Sequence, residues 1–180
     1  DKGKFVVEDI NGDGVQDPIG ADRTYIGNPQ PKVIASLTNT LKYKNVTLSF
    51  LLNGRFGNDI FNANRMLLGR QSRLTSSAEN ALVEASTTEV NDDRTGSYDY
   101  YIEKGNFVRL QNANLSYRIP KSVGPLSNVS VYVSGNNLFL LTKYKGVDPE
   151  LKLDGLAPGI ETRNFYFKTR GFQFGVNASF

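Results

Sequence analysis

The chain has 180 residues, of which 39% are hydrophobic and 22% are charged, and its formal net charge is +3. It contains no cysteine and no histidine, which excludes disulfides and thiolate metal sites and removes the commonest zinc ligand and general base. Basic residues are scattered and no run approaches the ~18 apolar residues of a membrane helix, so neither nucleic-acid binding nor a helical membrane span is indicated.

Residues 32–57 predict a β-hairpin with one apolar and one polar face. Side chains alternate across a strand, so residues of one parity share a face. In the first strand, residues 32–43, the apolar face holds Val33, Ala35, Leu37, Leu41 and Tyr43. In the second strand, residues 46–57, it holds Val46, Leu48, Phe50, Leu52 and Phe56. Lys44 and Asn45 form the short turn between the two strands.

A long polar connection over residues 58–100 follows the hairpin and breaks the alternation. Ser76 and Glu79 have the spacing of a capping box, which predicts a short helix from Ala78 to Ala85. Connections of this length inside a compact domain are usually functional or disordered.

Strand character returns at residues 101–119, where the alternation changes phase in the middle. Ala113, Leu115 and Tyr117 share one parity, whereas Val108 and Leu110 have the other. Two explanations are open. Either a β-bulge lies near residue 111, or the first half of the strand rises above a membrane.

Two further strands are predicted at residues 128–141 and at about 168–180. Pro120 ends the preceding strand, and a connection rich in Gly and Pro spans residues 142–167. The apolar positions of the last strand are Phe172, Phe174, Val176, Ala178 and Phe180. So many phenylalanines on one face are typical of a transmembrane β-strand that has lipid on one side and an aqueous lumen on the other.

The connections alternate between long and short, as do the outer loops and periplasmic turns of outer-membrane barrels. We therefore expect an all-β fold, an antiparallel transmembrane β-barrel segment of about five full strands plus a stub at residues 4–8. This number of strands cannot close a barrel, because the smallest bacterial barrels have about eight strands and lipid tolerates no unpaired edge. Either residues 1–180 are the last part of a larger barrel, with a periplasmic C-terminus, or another copy supplies the missing strands.

The segment from Asp9 has the ligand spacing of an EF-hand-type calcium loop. Side-chain oxygens fall at the first, third and fifth positions, and glycine falls at the sixth. The acid expected at the twelfth position is replaced by Gly20. The candidate ligands are Asp9, Asn11, Asp13, Val15 (through its carbonyl oxygen), Asp17 and Asp22. The alternative is a turn without metal, because Asp, Asn and Gly favour turns by themselves.

Other polar and aromatic side chains have two interpretations each. The cations Lys42, Arg55, Arg109 and Arg118 lie on polar parities. Either they contact a plug or an anionic ligand, or they are only part of a polar wall that faces water in the lumen. The loop aromatics stack on sugars, grip a peptide or form an outer aromatic girdle. These aromatics are Tyr98, Tyr100, Tyr101, Tyr144, Phe165 and Tyr166.

No catalytic arrangement is predicted. Carboxylate pairs occur at Asp92 and Asp93 and at Glu79 and Glu84, but nothing in such a loop fixes the spacing of about 5–9.5 Å that glycosidases need. The lack of histidine excludes a Ser-His-Asp arrangement, and the sequence has no phosphate-binding glycine loop. We therefore expect a protein that is not an enzyme.

Six segments between about residue 9 and residue 180 resemble the C-terminal barrel of SusC/RagA-like TonB-dependent transporters. They begin at Asp9 (DINGDGV), Asp22 (DRTYIGNPQP), Gly57 (GNDIFNANR), Gly105 (GNFVRLQNANLSY), Tyr132 (YVSGNNLF) and Lys143 (KYKGVDPE). The resemblance implies a barrel of about 22 strands whose lumen is filled by a plug. Residues 1–180 would be the C-terminal part of that barrel, without the plug and the N-terminal region.

The resemblance also implies a function. Members of the family import glycan oligosaccharides or peptides across the outer membrane, powered through TonB, with a SusD-like surface lipoprotein as partner. An alternating apolar pattern before a terminal aromatic resembles the signal read by the barrel-assembly machinery, and Phe172, Phe174, Val176 and Phe180 would carry it here. The alternative is a soluble β-sandwich that binds carbohydrate, since a sandwich also shows short strands with turn signals.

Overall fold

The fold is built around one large antiparallel sheet with extensive loops at one end. The computed structural model describes residues 2–76, 80–91, 96–153, 155–163 and 166–179. Five long strands form the large sheet, and three short strands form a second, small sheet. No helix in the described part of the chain is both long and apolar enough to cross a membrane.

The predicted hairpin is present, with both strands within one residue of their expected bounds. Its strands are β1, Val33–Tyr43, and β2, Val46–Phe56. They pair in register from Val33 opposite Phe56 to Tyr43 opposite Val46. Lys44 adopts the left-handed conformation, with φ of 51°, which lets the chain reverse in two residues.

The long connection contains several short elements. They are β3 (Asp59–Asn62), α1 (Ala63–Leu68), 3-10 turns at Gln71–Thr75, Val83–Ser86 and Asp99–Tyr101, and β4 (Ile102–Lys104). The helix α1 was not predicted, and the Asn62 side chain caps it by accepting from the Arg65 N–H at 2.9 Å. At the end of the predicted helix, Val83–Ser86 form a 3-10 turn instead. Of the predicted helix, residues 77–79 lie outside the described residues. Leu82 is not helical, since its N–H donates to the Leu68 carbonyl oxygen at the end of α1.

The remaining strands complete both sheets. They are β5 (Phe107–Arg118), β6 (Ser127–Thr142), β7 (Ile160–Glu161) and β8 (Gly171–Ser179). The large sheet has the order β1-β2-β5-β6-β8, and the small sheet has the order β4-β3-β7. The prediction of an antiparallel barrel segment with five full strands is therefore confirmed. Residues 4–8, the predicted stub, form no strand, and the Phe5 ring stacks on Tyr98 at 4.7 Å instead.

A β-bulge at Gln111 explains the phase change in β5. Leu110 lies opposite Leu52 of β2, but Asn112 lies opposite Leu51, so Gln111 is an extra residue in β5. The bulge brings Val108 and Leu110 onto the same face as Ala113, Leu115 and Tyr117. Of the two explanations for the phase change, the bulge near residue 111 is confirmed.

One face of the large sheet is apolar and exposed across all five strands. Cross-strand pairing aligns its residues in rows: Tyr43, Val46, Tyr117, Val131 and Val176 form one, and Leu41, Leu48, Leu115, Val133 and Phe174 form the next. Phe172 is 65% exposed and Phe174 is 78% exposed. We call this surface the apolar face and the opposite surface the polar face.

The long connections all lie at one end of the sheet. The register places Val33, Phe56, Phe107 and Thr142 together at that end. The described residues of 2–31, 57–106 and 143–170 pack there, and we call them the loop cap. Its buried residues include Ile60, Ala85, Tyr101 and Leu151. The core of this chain therefore lies in the loop cap, whereas the sheet leaves its apolar face uncovered.

Candidate functional site: the polar face and the loop cap

The polar face carries cross-strand hydrogen bonds and cations. Ser36 Oγ donates to Asn53 Oδ1 at 3.3 Å, and Asn112 Nδ2 donates to Asn136 Oδ1 at 3.0 Å. The register places all four cations singled out from the sequence on this face, namely Lys42, Arg55, Arg109 and Arg118. This face therefore suits an aqueous surface.

Arg109 is nevertheless buried, with 4% of its side chain exposed. Its Nη2 donates to Asp148 Oδ1 at 2.6 Å. Its Nε lies 3.2 Å from Glu150 Oε2, as an ion-pair contact without the alignment of a hydrogen bond. Lys168 Nζ also contacts Glu150. Two cations and two carboxylates thus form a balanced cluster, as the burial of charge requires.

Both carboxylates belong to residues 143–153, which we call the strap. The strap lies against the polar face, where Arg55 Nη1 donates to the Leu151 carbonyl oxygen at 2.9 Å. Leu151 and Phe107 are both buried. Arg55 and Arg109 therefore bind a segment of their own chain, which neither interpretation of their sequence pattern had included.

Glu161, in β7, is fully buried and holds the beginning of the strap. Its Oε2 accepts hydrogen bonds from Tyr144 Oη at 3.0 Å and from the Val147 N–H at 2.6 Å. Its Oε1 accepts from Asn64 Nδ2 of α1 at 2.9 Å. Burial, reinforced by the charge of Glu161, raises the pKa of Tyr144 far above its ordinary value. Tyr144 therefore remains a protonated donor.

Arg65 of α1 joins separate segments of the loop cap. Its Nε donates to Glu84 Oε1 at 2.7 Å, and its Nη1 donates to the Tyr100 carbonyl oxygen at 3.0 Å. Its guanidinium also lies 4.4 Å from the centroid of the Tyr100 ring, within the range of a cation–π contact. Burial opposes the charge of Arg65, but Glu84, Tyr100 and Glu103 together outweigh it and raise the pKa of Arg65.

Glu84 therefore belongs to a salt bridge with Arg65. Glu79, Asp92 and Asp93 lie outside the described residues.

Two of the loop tyrosines belong to the interior of the loop cap. Tyr101 is 1% exposed and meets the Phe5 ring edge-on, with centroids 5.7 Å apart. Tyr144 is also buried. The expectation of a girdle or a stacking surface was therefore wrong for these two rings, because packing inside the cap takes both. Tyr166 is exposed, and Phe165 lies outside the described residues.

Carboxylates close the loop over residues 9–22. Asp9 Oδ1 accepts from the Gly12 N–H at 2.7 Å. Asp22 is buried, and its Oδ2 accepts from the Asp17 N–H at 2.6 Å. The Asp17 N–H contributes most to holding the pKa of Asp22 below its ordinary value. The backbone of the loop is thus stabilised by hydrogen bonds to carboxylate oxygens.

The candidate calcium ligands lie close together in this loop. Asn11 Nδ2 donates to Asp13 Oδ2 at 2.9 Å, and the Val15 N–H donates to Asp13 Oδ1 at 2.8 Å. Within the described residues, no group of three acidic, Cys or His side chains is placed to hold a metal ion. The contacts fit a turn held by its own side chains, and calcium binding stays a prediction.

A small cavity of about 250 Å³ lies between residues 24–29 and the small sheet. Phe61, Ile102 and Ile160 supply apolar parts of its lining, and Asp59 lies among its polar residues. Pockets for small molecules usually measure about 300–1,000 Å³, so we assign no ligand to it.

Sequence reasoning missed three residues that organise the site: Asp148, Glu150 and Glu161. Asp148 lies 39 positions from Arg109 in the chain, and no periodicity connects the two. The only signal was the segment from Lys143 to Glu150, which was noted as a family-like pattern without a structural role.

No protein-family model matches the chain. Among curated proteins, it is 31% identical to TonB-dependent receptor P26 of Formosa agariphila over 96% of this chain and 19% of that protein. It is 29% identical to TonB-dependent receptor SusC of Bacteroides thetaiotaomicron, over 96% of this chain and 17% of that protein. The chain thus spans about one fifth of the length of the curated relatives it matches.

Solved structures share the fold. The RagAB peptide importer in the open-open state matches with a TM-score of 0.60 and 20% identity, over 84% of this chain and 17% of that chain. Its closed-closed state matches with a TM-score of 0.63 and 19% identity, over 84% of this chain and 18% of that chain.

These features define a segment of a transmembrane β-barrel wall: an exposed apolar face, an opposite polar face, and long loops gathered at one end. The curated relatives place this segment in the class of TonB-dependent receptors. Within that class its sequence is similar to that of SusC, and it shares its fold with the RagAB structures.

Proposed function

We propose that the chain forms part of the wall and outer loops of a nutrient importer in the bacterial outer membrane. The observation that carries this proposal is the continuous apolar face, whose rows run across all five strands of the large sheet. A soluble sandwich would cover such a face with a second sheet. Within the described residues the second sheet has only three short strands, and these lie in the loop cap.

Strand length supports a membrane position. A transmembrane strand needs about 9–11 residues when tilted. β1 and β2 have 11 residues each, β5 has 12 and β8 has 9. The shortest of the five is therefore long enough to cross the hydrocarbon region.

The proposed orientation follows from the loops. Barrels of this kind have long outer loops and short periplasmic turns, so the loop cap faces outward and the chain ends in the periplasm. Tyr43 and Tyr117 both flank Val46 at the opposite end, where an inner aromatic girdle would lie.

We infer the substrate class and partners from the relatives. One solved neighbour is described as a peptide importer, and a curated relative is SusC. The cargo is accordingly a peptide or a glycan oligosaccharide. The partners are a SusD-like lipoprotein, TonB acting on a region beyond this chain, and the remaining strands and plug of the same transporter.

The test uses the full-length transporter in a strain from which the native gene is deleted. Uptake of labelled oligopeptides and of labelled oligosaccharides is measured with and without the gene, and the cell fractions are probed for the protein. We expect the protein in the outer membrane, release by detergent only, and rescued uptake of one cargo class. Recovery from the soluble fraction would support the sandwich and overturn the proposal.

A further inference from the structure

We propose that the strap, residues 143–153, is a fixed constriction on the lumen side of the wall, and that Arg109 is the positioning residue which holds it there. This inference rests on the proposed function, because the polar face is the lumen side only if the apolar face meets lipid. Whatever lies against the polar face then narrows the path of the cargo.

The first argument is the position of the two arginines. Arg109 lies opposite Asn53, and Arg55 lies opposite Phe107, so the two cations are diagonal neighbours on adjacent strands, two residues apart in the register. Arg109 binds the side chains of Asp148 and Glu150, whereas Arg55 binds the strap backbone at Leu151. The middle of the strap is thus held by ion pairs to its side chains and by a hydrogen bond to its backbone.

The second argument is that attachments continue along the strap. The Lys145 N–H donates to Glu103 Oε2 at 2.9 Å. The Leu153 carbonyl oxygen accepts from Gln30 Nε2 at 3.4 Å. A segment held at its start, middle and end has no free hinge, which distinguishes it from a loop that swings open.

Close packing gives a third argument. A side chain at Gly146 would place its Cβ 2.3 Å from Tyr144 Oη and 2.5 Å from Glu161 Oε2. Only glycine allows this approach of the strap backbone to the buried hydrogen bond. The beginning of the strap is therefore fixed sterically as well as by hydrogen bonds.

The charges make Arg109 the residue to test. Together with Lys168, its guanidinium balances Asp148 and Glu150 in a site where Arg109 and Asp148 are each 4% exposed. Removing one partner of a buried ion pair leaves an uncompensated charge, which drives the pair apart or draws in water. Loss of Arg109 should therefore release the strap while the strand ladder of β5 remains.

The first experiment measures hydrogen exchange in the full-length transporter, purified in detergent. In the Arg109→Ala variant, we expect exchange of the Val147 and Glu150 amides to rise at least about tenfold, and exchange in β5 to stay within about twofold. The matched control is Arg118→Ala, which removes an arginine from the same strand and face but at the far end, where it contacts Asn128. A reversal, Arg109→Asp with Asp148→Arg, should restore most of the protection.

The second experiment separates positioning from folding. Uptake of short and long cargo of the same class is measured in the same variants, normalised to folded transporter in the membrane. A released constriction should change the ratio of long to short cargo uptake by about threefold or more, and the reversal should restore it. If Arg109→Ala does not assemble, Glu150→Gln, which keeps the arginine and Asp148, replaces it.

A third experiment blocks the lumen by chemical labelling and leaves the Arg109–Asp148 ion pair intact. Lys152 is exposed on the strap, and this chain contributes no cysteine. In a cysteine-free full-length transporter, Lys152→Cys labelled with a bulky maleimide should block uptake. Val83→Cys, at a loop-cap position that is 88% exposed, should not.

Three results would overturn the inference: unchanged exchange in Arg109→Ala, an unchanged length ratio after release of the strap, or normal uptake after labelling at residue 152. Wild-type uptake and membrane location are measured first. A failure of the importer proposal would therefore appear there, before any strap variant is compared.

Discussion

Leu110 and Ala113 of β5 lie on the same face of the sheet, although their positions differ by three. Their partners in β2, Leu52 and Phe50, differ by only two, so the bulge at Gln111 absorbs the extra residue. The bulge keeps Leu110 on the apolar face and Arg109 on the polar face at the same time. Gln111 thus decides which residues in the loop-cap half of β5 lie on the apolar face and which lie on the polar face.

We expect deletion of Gln111 to prevent normal assembly of the transporter. A one-residue slip reverses the facing of every residue on one side of it. Arg109 would then turn towards the apolar face and leave Asp148 buried without its partner, and breaking a buried ion pair in this way costs about 3–5 kcal/mol. Since about 1.4 kcal/mol corresponds to a tenfold change in an equilibrium, the amount of heat-modifiable barrel in the membrane should fall about tenfold or more. The Gln111→Ala variant keeps the residue count and should assemble, and normal assembly of the deletion variant would refute the assignment.

The sequence alone predicted the sheet well because lipid and water impose a strict alternation. The bounds of β1 and β2 follow from it within one residue. The phase change in β5 was also visible, but only the pairing with Leu51 and Leu52 distinguished a bulge from a strand that leaves the membrane.

The loop cap could not be predicted in the same way, because its contacts join distant segments without any period. The capping-box pattern at Ser76 suggested a helix up to Ala85, but the Leu82 N–H bonds to Leu68 and the described end of that segment is a 3-10 turn, Val83–Ser86. Asp148 and Glu161 acquire their roles only when the strap folds back on the wall and on β7.

The apolar face predicts opposite effects for neighbouring positions in β8. Phe174 lies on the apolar face opposite Val133, whereas Gln173 lies on the polar face opposite Ser134. We expect Phe174→Arg to destabilise the barrel by up to about 2–4 kcal/mol, because its charge would enter lipid. Gln173→Arg places the same charge in the lumen and serves as the control. Urea unfolding in lipid vesicles measures both, and equal losses of stability would contradict the assignment of faces.

The buried hydrogen bond between Tyr144 and Glu161 should be important for the loop cap. Tyr144→Phe removes a donor to a buried carboxylate, which we expect to cost about 1–3 kcal/mol. The matched control is Tyr166→Phe, because the Tyr166 side chain is exposed. Limited proteolysis of the full-length protein should show faster cleavage within residues 143–153 for the first variant alone. Equal cleavage of both variants would mean that the Tyr144–Glu161 hydrogen bond does not stabilise the loop cap.

Calcium binding by residues 9–22 is tested by melting the full-length protein with calcium and with chelator. If Asp9, Asn11 and Asp13 turn their oxygens towards an ion, calcium should raise the melting temperature. Asp13→Ala should remove most of that rise, because it deletes the ligand at the fifth position. Asn45→Ala, in the turn at the opposite end of the sheet, is the control. An unchanged melt with and without chelator would reject the site.

The low pKa of Asp22 predicts how the same loop responds to acid. The Asp17 N–H stabilises the ionised carboxylate, so the folded pKa lies below the unfolded value of about 3.9. This contribution is fully present above the unfolded pKa and is lost as the pH falls through the folded pKa. We expect protection of the Ile10 and Asp17 amides, normalised to intrinsic exchange rates, to be constant from neutral pH down to about pH 5 and to fall below the unfolded value. Asp22→Asn should lack the pH-dependent part, because its amide does not ionise. A wild-type profile without any fall in acid, or a variant with the same fall, would show that Asp22 does not hold the loop.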